Sequence, residues 1–172
     1  MTREQFRAIY PQLIDWIEQT LVDYSTKTQS VVSLRFRRLP QYFSKEFLAS
    51  AKVVPVENVP MPPLSKFGAT DFDAFEQMEA AGITYLDTFF VNQLYATDES
   101  LHFHELVHVV QWSLLGPERF LAAYADGLEH FGYRNSPLET MAYDAQAWFE
   151  DNPAPFNAEQ SVQNQLQHLN LI

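Results

Sequence analysis

The segment Leu101–Trp112 most constrains how this chain folds, because it is mostly apolar yet contains the pattern His-Glu-x-x-His. Its apolar residues recur at helical spacing, which predicts a helix that crosses a hydrophobic core. His104 and His108 lie one above the other on one face of such a helix, where both imidazoles can bind one metal ion. Buried polar groups need partners, so we favour a metal site over a surface helix with ordinary histidines.

Glu105 follows the first histidine of the motif and projects from a neighbouring position, where its carboxylate can accept a proton without binding the metal. Neutral imidazole is a good zinc ligand, and zinc lowers the pKa of a bound water molecule towards neutrality. The motif therefore predicts Zn²⁺ as the cofactor and Glu105 as the general base that activates water.

The motif together with Val109, Val110 and Gln111 resembles the active-site helix of zincin metallopeptidases, and especially that of small bacterial zincin-like domains. The resemblance covers residues 83–148 and implies hydrolysis of peptide bonds by water that zinc and Glu105 activate. It also implies that the strand predicted at residues 83–91 is a sheet edge to which an extended peptide substrate adds as another strand. An ordinary central strand is the alternative for that segment.

A catalytic zinc site needs a third protein ligand and leaves its fourth position to water. The metzincin pattern requires glycine and histidine where this chain has Gln111 and Leu114, and peptide deformylase uses a cysteine, which the chain lacks. The gluzincin pattern takes a glutamate from a later helix, and the segment that begins at Ser136 resembles that helix. Pro137 then occupies the first helical position and Glu139 lies in the first turn, so Glu139 is the expected third ligand.

Glu139 also has a purely structural alternative, and it has rivals as a ligand. Ser136 and Glu139 fit a capping box, in which the glutamate only stabilises the N-terminus of the helix. The rival ligands are acidic or histidine side chains of the same region: Asp144, His130, Glu129 and Asp126. Asp144 is alternatively expected to orient a ligating imidazole through its free N–H.

Catalysis also needs a hydrogen-bond donor near the oxyanion that develops in the transition state. Tyr143 lies one turn after Glu139 on the same helical face and is the catalytic candidate. Tyr133 and Tyr124 are further candidates nearby in sequence. For each of the three, a tyrosine that only packs in the interior is the alternative.

The composition limits the partners and the compartment of the protein. A net charge of −11 argues against a nucleic-acid partner, because phosphates would be repelled. No segment of the sequence is apolar over the length of a membrane span, and the N-terminus lacks a secretory signal pattern, so we expect a cytoplasmic protein without a membrane partner. The expected partner is a peptide or protein substrate, and the sequence gives no oligomeric state.

Local patterns predict the elements of the N-terminal part. Thr2 and Gln5 fit a capping box that opens a helix, which Pro11 either kinks or restarts. Alternating apolar and polar residues at 32–37 predict a half-exposed strand, whose arginines face solvent or an anionic ligand. Residues 53–56 predict a short strand at a sheet edge, because they include a proline.

The remaining helices are predicted from apolar spacing and from helix-breaking residues. Short helices are expected at residues 43–51 and from Phe72 to near Gly82. The pair Gly116-Pro117 ends the metal helix and opens another, which ends near Gly127. A final helix is expected at residues 158–169.

These patterns predict a single α+β domain over residues 1–172, mostly helical, with a small mixed sheet beside the metal helix. An N-terminal helical part covers residues 1–50, and the metal-site part covers residues 83–150. The expected function is a zinc metallopeptidase of gluzincin type. One alternative is a zincin fold that serves as a metal-binding, interaction or regulatory module. Another is a di-iron helical bundle, whose Glu-x-x-His element the motif also fits.

Overall fold

The computed structural model describes residues 3–151 and 154–172, which form six α-helices and four β-strands within those ranges. The helices are α1 Arg3–Asp23, α2 Lys45–Ser50, α3 Asp73–Glu76, α4 Glu99–Phe131, α5 Pro137–Asp151 and α6 Ala158–His168. The strands are β1 Gln29–Ser30, β2 Lys52–Val56, β3 Gly82–Tyr85 and β4 Thr88–Asn92. The predicted α+β fold is confirmed, and a sheet is incompatible with the di-iron bundle. Thr2 of the predicted capping box lies outside the described residues.

The four strands form one mixed sheet in the order β1-β2-β4-β3. β2 and β4 pair in parallel at its centre, and β1 and β3 pair antiparallel to them on the two sides. Val53, Phe89 and Phe90 of the central strands are completely buried, as expected of parallel strands that are covered on both faces. α4 packs against β3 and β4, so this sheet fixes the position of the helix that contains the motif.

The segment 83–91, predicted as one strand, forms a hairpin of β3 and β4 instead. The chain reverses at Leu86, which lies in the left-handed region with φ of 57°. Leucine rarely adopts this conformation, so only Asp87 within the segment indicated a turn. β3 lies at an edge of the sheet. α4 contacts β3 there through Trp112, whose Nε1 donates to the backbone oxygen of Thr84 at 3.1 Å.

The strand predicted at residues 32–37 does not form. Val31–Leu34 is a 3₁₀ turn, in which the Ser33 hydroxyl donates to the backbone oxygen of Ser30 at 2.6 Å. Arg35 follows with φ of 57°, which reverses the chain again. The alternation of apolar and polar residues therefore belongs to an irregular turn that follows the two-residue strand β1.

β2 is an interior strand and not the edge strand that its proline predicts. β1 pairs only with Lys52 and Val53 at the start of β2. Pro55 lies beyond the end of β1, so β2 is locally an edge strand where the proline occurs. An edge position tolerates a residue that lacks a backbone N–H.

Three of the predicted helices agree with the structure, and a fourth is much shorter than predicted. α1 continues through Pro11 and buries Ile9, Leu13 and Ile17 in the core. The helices predicted at 43–51 and 158–169 are confirmed as α2 and α6. The helix predicted from Phe72 to near Gly82 is only the four residues of α3, preceded by a 3₁₀ turn.

α4 is interrupted at Gly116, as its Gly-Pro pair predicts. Gly116 has φ of 72° and ψ of 167°, a region that is essentially restricted to glycine. The second half of the helix ends at Phe131, four residues later than the predicted end at Gly127. Gly127 instead permits close packing, because an added Cβ would lie 2.9 Å from the Cβ of Ser136 at the start of α5. None of the helices in the described ranges combines the length and the apolar character that a bilayer crossing requires.

Candidate metal centre

Three predicted ligands lie together where α4 meets the first turn of α5. The Nε2 atoms of His104 and His108 are 3.1 Å apart. Glu139 Oε2 is 3.5 Å from His104 Nε2, and Glu139 Oε1 is 3.4 Å from His108 Nε2. All three residues are at most 5% exposed. Among histidine, aspartate and glutamate side chains of the described ranges, they form the one group that could hold a metal ion.

The distances within this group fit a tetrahedral zinc ion. Ligand atoms that lie 2.0–2.2 Å from a tetrahedral zinc are about 3.4 Å from one another. The measured separations, 3.1, 3.4 and 3.5 Å, are close to that value, with a different oxygen of Glu139 facing each imidazole. Glu139 Oε2 is buried and has no hydrogen-bond partner among the described residues. A buried carboxylate oxygen without a partner is costly, and a cation between the three side chains removes that cost.

Gln111 fixes the orientation of the His108 ring. Its Nε2 donates to the backbone oxygen of Leu138 at 3.0 Å, which turns its Oε1 towards His108 Nδ1 at 2.8 Å. An amide oxygen only accepts, so His108 bears its proton on Nδ1 and directs the lone pair of Nε2 towards Glu139 and His104.

Gln146 orients the His104 ring in the same way. Gln146 Nε2 donates to the Ser100 hydroxyl at 3.0 Å and to Glu150 Oε1 at 3.1 Å, and its Oε1 faces His104 Nδ1 at 3.1 Å. Both Nε2 lone pairs therefore converge on one point. Two lone pairs and a carboxylate repel one another unless a positive charge lies between them.

Asp144 does not have the orienting role that the sequence predicts. It is exposed on α5, whereas Glu139, Tyr143 and Gln146 follow one another at helical spacing on the face towards α4. Neither Gln111 nor Gln146 was predicted as an orienting residue. Their positions, three residues after His108 and seven after Glu139, were the available signal.

The structure contradicts the capping alternative for Glu139. The hydroxyl of Ser136 is buried and has no hydrogen-bond partner among the described residues, so it caps nothing. The carboxylate of Glu139 faces the two histidines and accepts a hydrogen bond from the Tyr124 hydroxyl at 2.6 Å.

The rival third ligands lie on the surface. His130 and Asp126 are exposed, with His130 Nδ1 3.4 Å from Asp126 Oδ1. Glu129 and Asp144 are exposed as well. None of these side chains belongs to the buried group at the start of α5.

Electrostatics within the group favour one positive charge. Burial alone would raise the pKa of Glu139, but His108 and His104 beside it outweigh burial and hold that pKa below its usual range. Burial alone would lower the pKa of His108, but Glu139 outweighs it and raises the pKa to about 9. In the absence of a metal ion, His108 therefore carries a second proton, which supplies the positive charge beside Glu139.

Glu105 lies beside the ligands in a closely fitted site between α4 and β3. It is 3% exposed, and its Oε2 accepts a hydrogen bond from the Thr84 hydroxyl at 2.7 Å. A Cβ added to Gly82 would lie 2.4 Å from its Oε1, so only glycine leaves room for this carboxylate. Burial raises the pKa of Glu105, although the two histidines oppose the shift. A raised carboxyl pKa suits a group that accepts and returns a proton near neutral pH.

The three candidate tyrosines differ in their relation to the ligands. Tyr124 donates to Glu139, so its hydroxyl reaches the metal centre. The ring of Tyr143 packs on the ring of His104, with 4.5 Å between centroids, and the guanidinium of Arg134 lies 3.7 Å from its centroid. Tyr133 lines the pocket beside the metal centre, and burial raises the pKa of its hydroxyl. Of the three, Tyr124 is the one whose hydroxyl contacts a candidate ligand.

His102 is the remaining buried histidine of α4, and it is separate from the metal centre. Its Nε2 lies 3.0 Å from the backbone oxygen of Ala96, and its ring packs against Phe36 and Phe89. Burial lowers the pKa of His102, which keeps the imidazole neutral in this apolar position.

A partly open pocket of about 90 Å³ adjoins the metal centre. Glu105, His108 and Glu139 line one part of it, and the rest of its wall is mostly aliphatic and aromatic. The candidate general base and two candidate ligands therefore face the same pocket.

No protein-family model matches this chain, and no curated protein or solved structure matches it either. The function is therefore argued from the geometry and chemistry of the site.

Proposed function

We propose that the protein is a zinc-dependent peptidase of gluzincin type, in which His104, His108 and Glu139 hold Zn²⁺. The observation that supports this most directly is the convergence of two Nε2 lone pairs and a carboxylate at 3.1–3.5 Å, with a buried glutamate next to them. That donor set matches zinc, and an ion held by three protein ligands keeps one position for water or substrate.

Zinc bound in such a site lowers the pKa of water and polarises a carbonyl group. Glu105 takes the proton of the attacking water and returns it to the leaving amine. Thr84 holds one carboxylate oxygen of Glu105, so the other oxygen is available for the proton. Tyr124 holds Glu139 in place from the side of the pocket.

Metal analysis and peptide hydrolysis of the purified protein test this proposal together. We expect stoichiometric zinc and cleavage of an unstructured protein substrate by the wild type. Glu105→Gln retains zinc and loses about 100-fold or more in kcat, because the base is absent and the ligands are intact. Glu139→Ala loses zinc, and the control Glu118→Ala, at an exposed position of α4, loses neither zinc nor activity.

A metal-binding module without peptidase activity is the second candidate function. The observation that favours it is burial, since all three ligands and Glu105 are at most 5% exposed and structural zinc sites are closed. Three results together would favour the module over the peptidase. The wild type and Glu105→Gln would both contain stoichiometric zinc, both would melt at a higher temperature than the zinc-free protein, and neither would hydrolyse peptides.

A further inference from the structure

The segment from the turn after β1 to α2 forms a second, partly open pocket, which shares no lining residue with the pocket beside the metal centre. We refer to it as the second pocket. Its wall consists of apolar side chains and one cation: Val31, Val32, Phe36, Leu39, Pro40, Leu48 and Lys45. Val32 is 43% exposed, so part of this apolar wall is in contact with solvent.

The second pocket lies in a strongly basic part of an acidic chain. Residues 24–45 carry five of the 11 lysines and arginines and none of the 22 aspartates and glutamates. Lys45 belongs to the pocket wall, and Arg35 and Arg37 flank the wall residue Phe36. These three cations are exposed, and none of them forms an ion pair with a carboxylate of the described ranges. Unpaired cations beside an apolar wall favour an anionic ligand.

The other charged groups of this region are engaged elsewhere or lie outside the pocket. The guanidinium of Arg38 lies 3.8 Å from the centroid of the Phe149 ring and donates to the backbone oxygen of Phe149. Glu99 Oε1 accepts from the backbone N–H groups of Arg38 and Leu39 at 2.7 and 2.9 Å. Neither Glu99 nor the exposed Glu46 belongs to the pocket lining. The wall therefore presents one cation and no carboxylate.

Arg35 has a backbone conformation that glycine adopts more readily. Its φ of 57° and ψ of 34° lie in the left-handed region, where the Cβ of an L-residue is crowded. The turn by itself would therefore favour glycine or asparagine at this position. Backbone strain of this kind is often found at ligand-binding positions, which is consistent with a use for the arginine side chain.

The apolar side chains of the wall favour an acyl chain over a peptide. Apart from Lys45 Nζ, the lining side chains contain no hydrogen-bond donor or acceptor. A peptide placed against them would bury amide groups that the side chains cannot satisfy. An acyl chain has only methylene groups to bury, and their burial is favourable.

We propose that the second pocket binds a single-chain aliphatic carboxylate, the chemistry of a medium-chain fatty acid. The hydrocarbon chain lies against the apolar wall, and the carboxylate pairs with Lys45 and the flanking arginines, whose planar guanidinium groups suit a carboxylate. This site is separate from the metal centre and does not rest on the peptidase function.

Calorimetric titration of the full-length protein tests the proposal with probes that differ in charge or in chain length. At low ionic strength we expect octanoate to bind at least about tenfold more tightly than octanamide, because only octanoate has a negative charge. Hexanoate binds about 15-fold more weakly than octanoate, since each buried methylene group contributes a factor of about four. Added NaCl lowers the affinity for octanoate and leaves that for octanamide unchanged.

Two pairs of variants place the binding in the second pocket and not at the metal centre. Val32→Glu puts a carboxylate into the exposed part of the wall and abolishes octanoate binding, whereas the control Val22→Glu, at an exposed valine of α1, retains it. Lys45→Ala weakens octanoate binding about three- to tenfold without an effect on octanamide. The control Arg7→Ala removes an exposed cation of α1 and changes neither affinity.

Arg35→Gly separates ligand binding from stability. Glycine adopts the left-handed conformation readily, so we expect this variant to melt no earlier than the wild type. Its affinity for octanoate falls about three- to tenfold, because one cation of the pocket is lost. An unchanged affinity for octanoate would remove Arg35 from the site.

Several outcomes would overturn the proposal. Equal affinity for octanoate and octanamide would do so, as would octanoate binding that survives Val32→Glu. Tighter binding of N-acetyl-leucyl-leucine than of octanoate would assign the pocket to the C-terminus of a peptide instead. Binding to phosphatidylglycerol vesicles without binding of octanoate would assign this face to a membrane surface.

Discussion

Gly82 is the residue whose substitution tests the role of Glu105 most selectively. A Cβ at this position would lie 2.4 Å from Oε1, 2.9 Å from Cδ and 3.2 Å from Cγ of Glu105. Ordinary contacts between such atoms are about 3.5 Å, so the carboxylate of Gly82→Ala must move by about 1 Å. Gly82 lies in β3 and needs no unusual backbone angles, so the added methyl group acts mainly on Glu105.

A displacement of about 1 Å in a catalytic group lowers the rate by about 100-fold. We therefore expect Gly82→Ala to lose about 100-fold in kcat on a peptide substrate, with zinc content and KM close to those of the wild type. The steady-state kinetics and metal content of both proteins measure this difference.

Gly68→Ala is the control for a loss of stability alone. A Cβ there meets no atom within 4 Å, but the φ of 89° is strained for alanine, so the variant melts earlier without contacting Glu105. A Gly82→Ala enzyme with wild-type kcat would refute the closely fitted site of Glu105. An equal loss of kcat in Gly68→Ala would attribute the effect to stability.

Three further predictions concern the metal ligands. Gln111→Leu removes the acceptor that orients His108, so zinc affinity falls by about 10- to 100-fold in a chelator competition, and unchanged affinity would contradict that role. We expect zinc affinity to rise about tenfold per pH unit between pH 6 and pH 8. The pKa of His108 is raised to about 9, so zinc displaces one proton from His108 over this range. The same chelator competition at several pH values measures this dependence, and an affinity independent of pH would refute it. Tyr124→Phe removes the hydrogen bond to Glu139, so we expect weaker zinc binding and a melting temperature within a few degrees of wild type. Unchanged zinc binding with a lower melting temperature would make Tyr124 a packing residue.

The parts of the structure that the sequence predicts well depend on local signals. The break at Gly116 and the helix that begins at Pro137 follow from the backbone properties of glycine and proline. The placement of His104 above His108 follows from helical periodicity alone. These features need no knowledge of what the rest of the chain does.

The parts that the sequence misses depend on tertiary contacts. The turn at Leu86 and Asp87 places a leucine at positive φ, and it is stabilised by the pairing of β3 and β4 on either side. Gln146 orients His104 only because α5 packs across α4, and Asp144 differs from it by two positions that turn the side chain to solvent. The orienting role of a polar side chain in a helix can be predicted only when the helix that packs against it is known.

The interruption at Gly116 lets one helix reach the metal centre twice. Its first arm presents His108 and Trp112, and its second arm returns with Tyr124 and Ala125, so both arms face the same pocket. The backbone angles of one glycine therefore set the distance of the Tyr124 hydroxyl from Glu139 and the width of the gap between the arms. A change in the bend at Gly116 would therefore alter both the hydrogen bond to Glu139 and the width of the pocket.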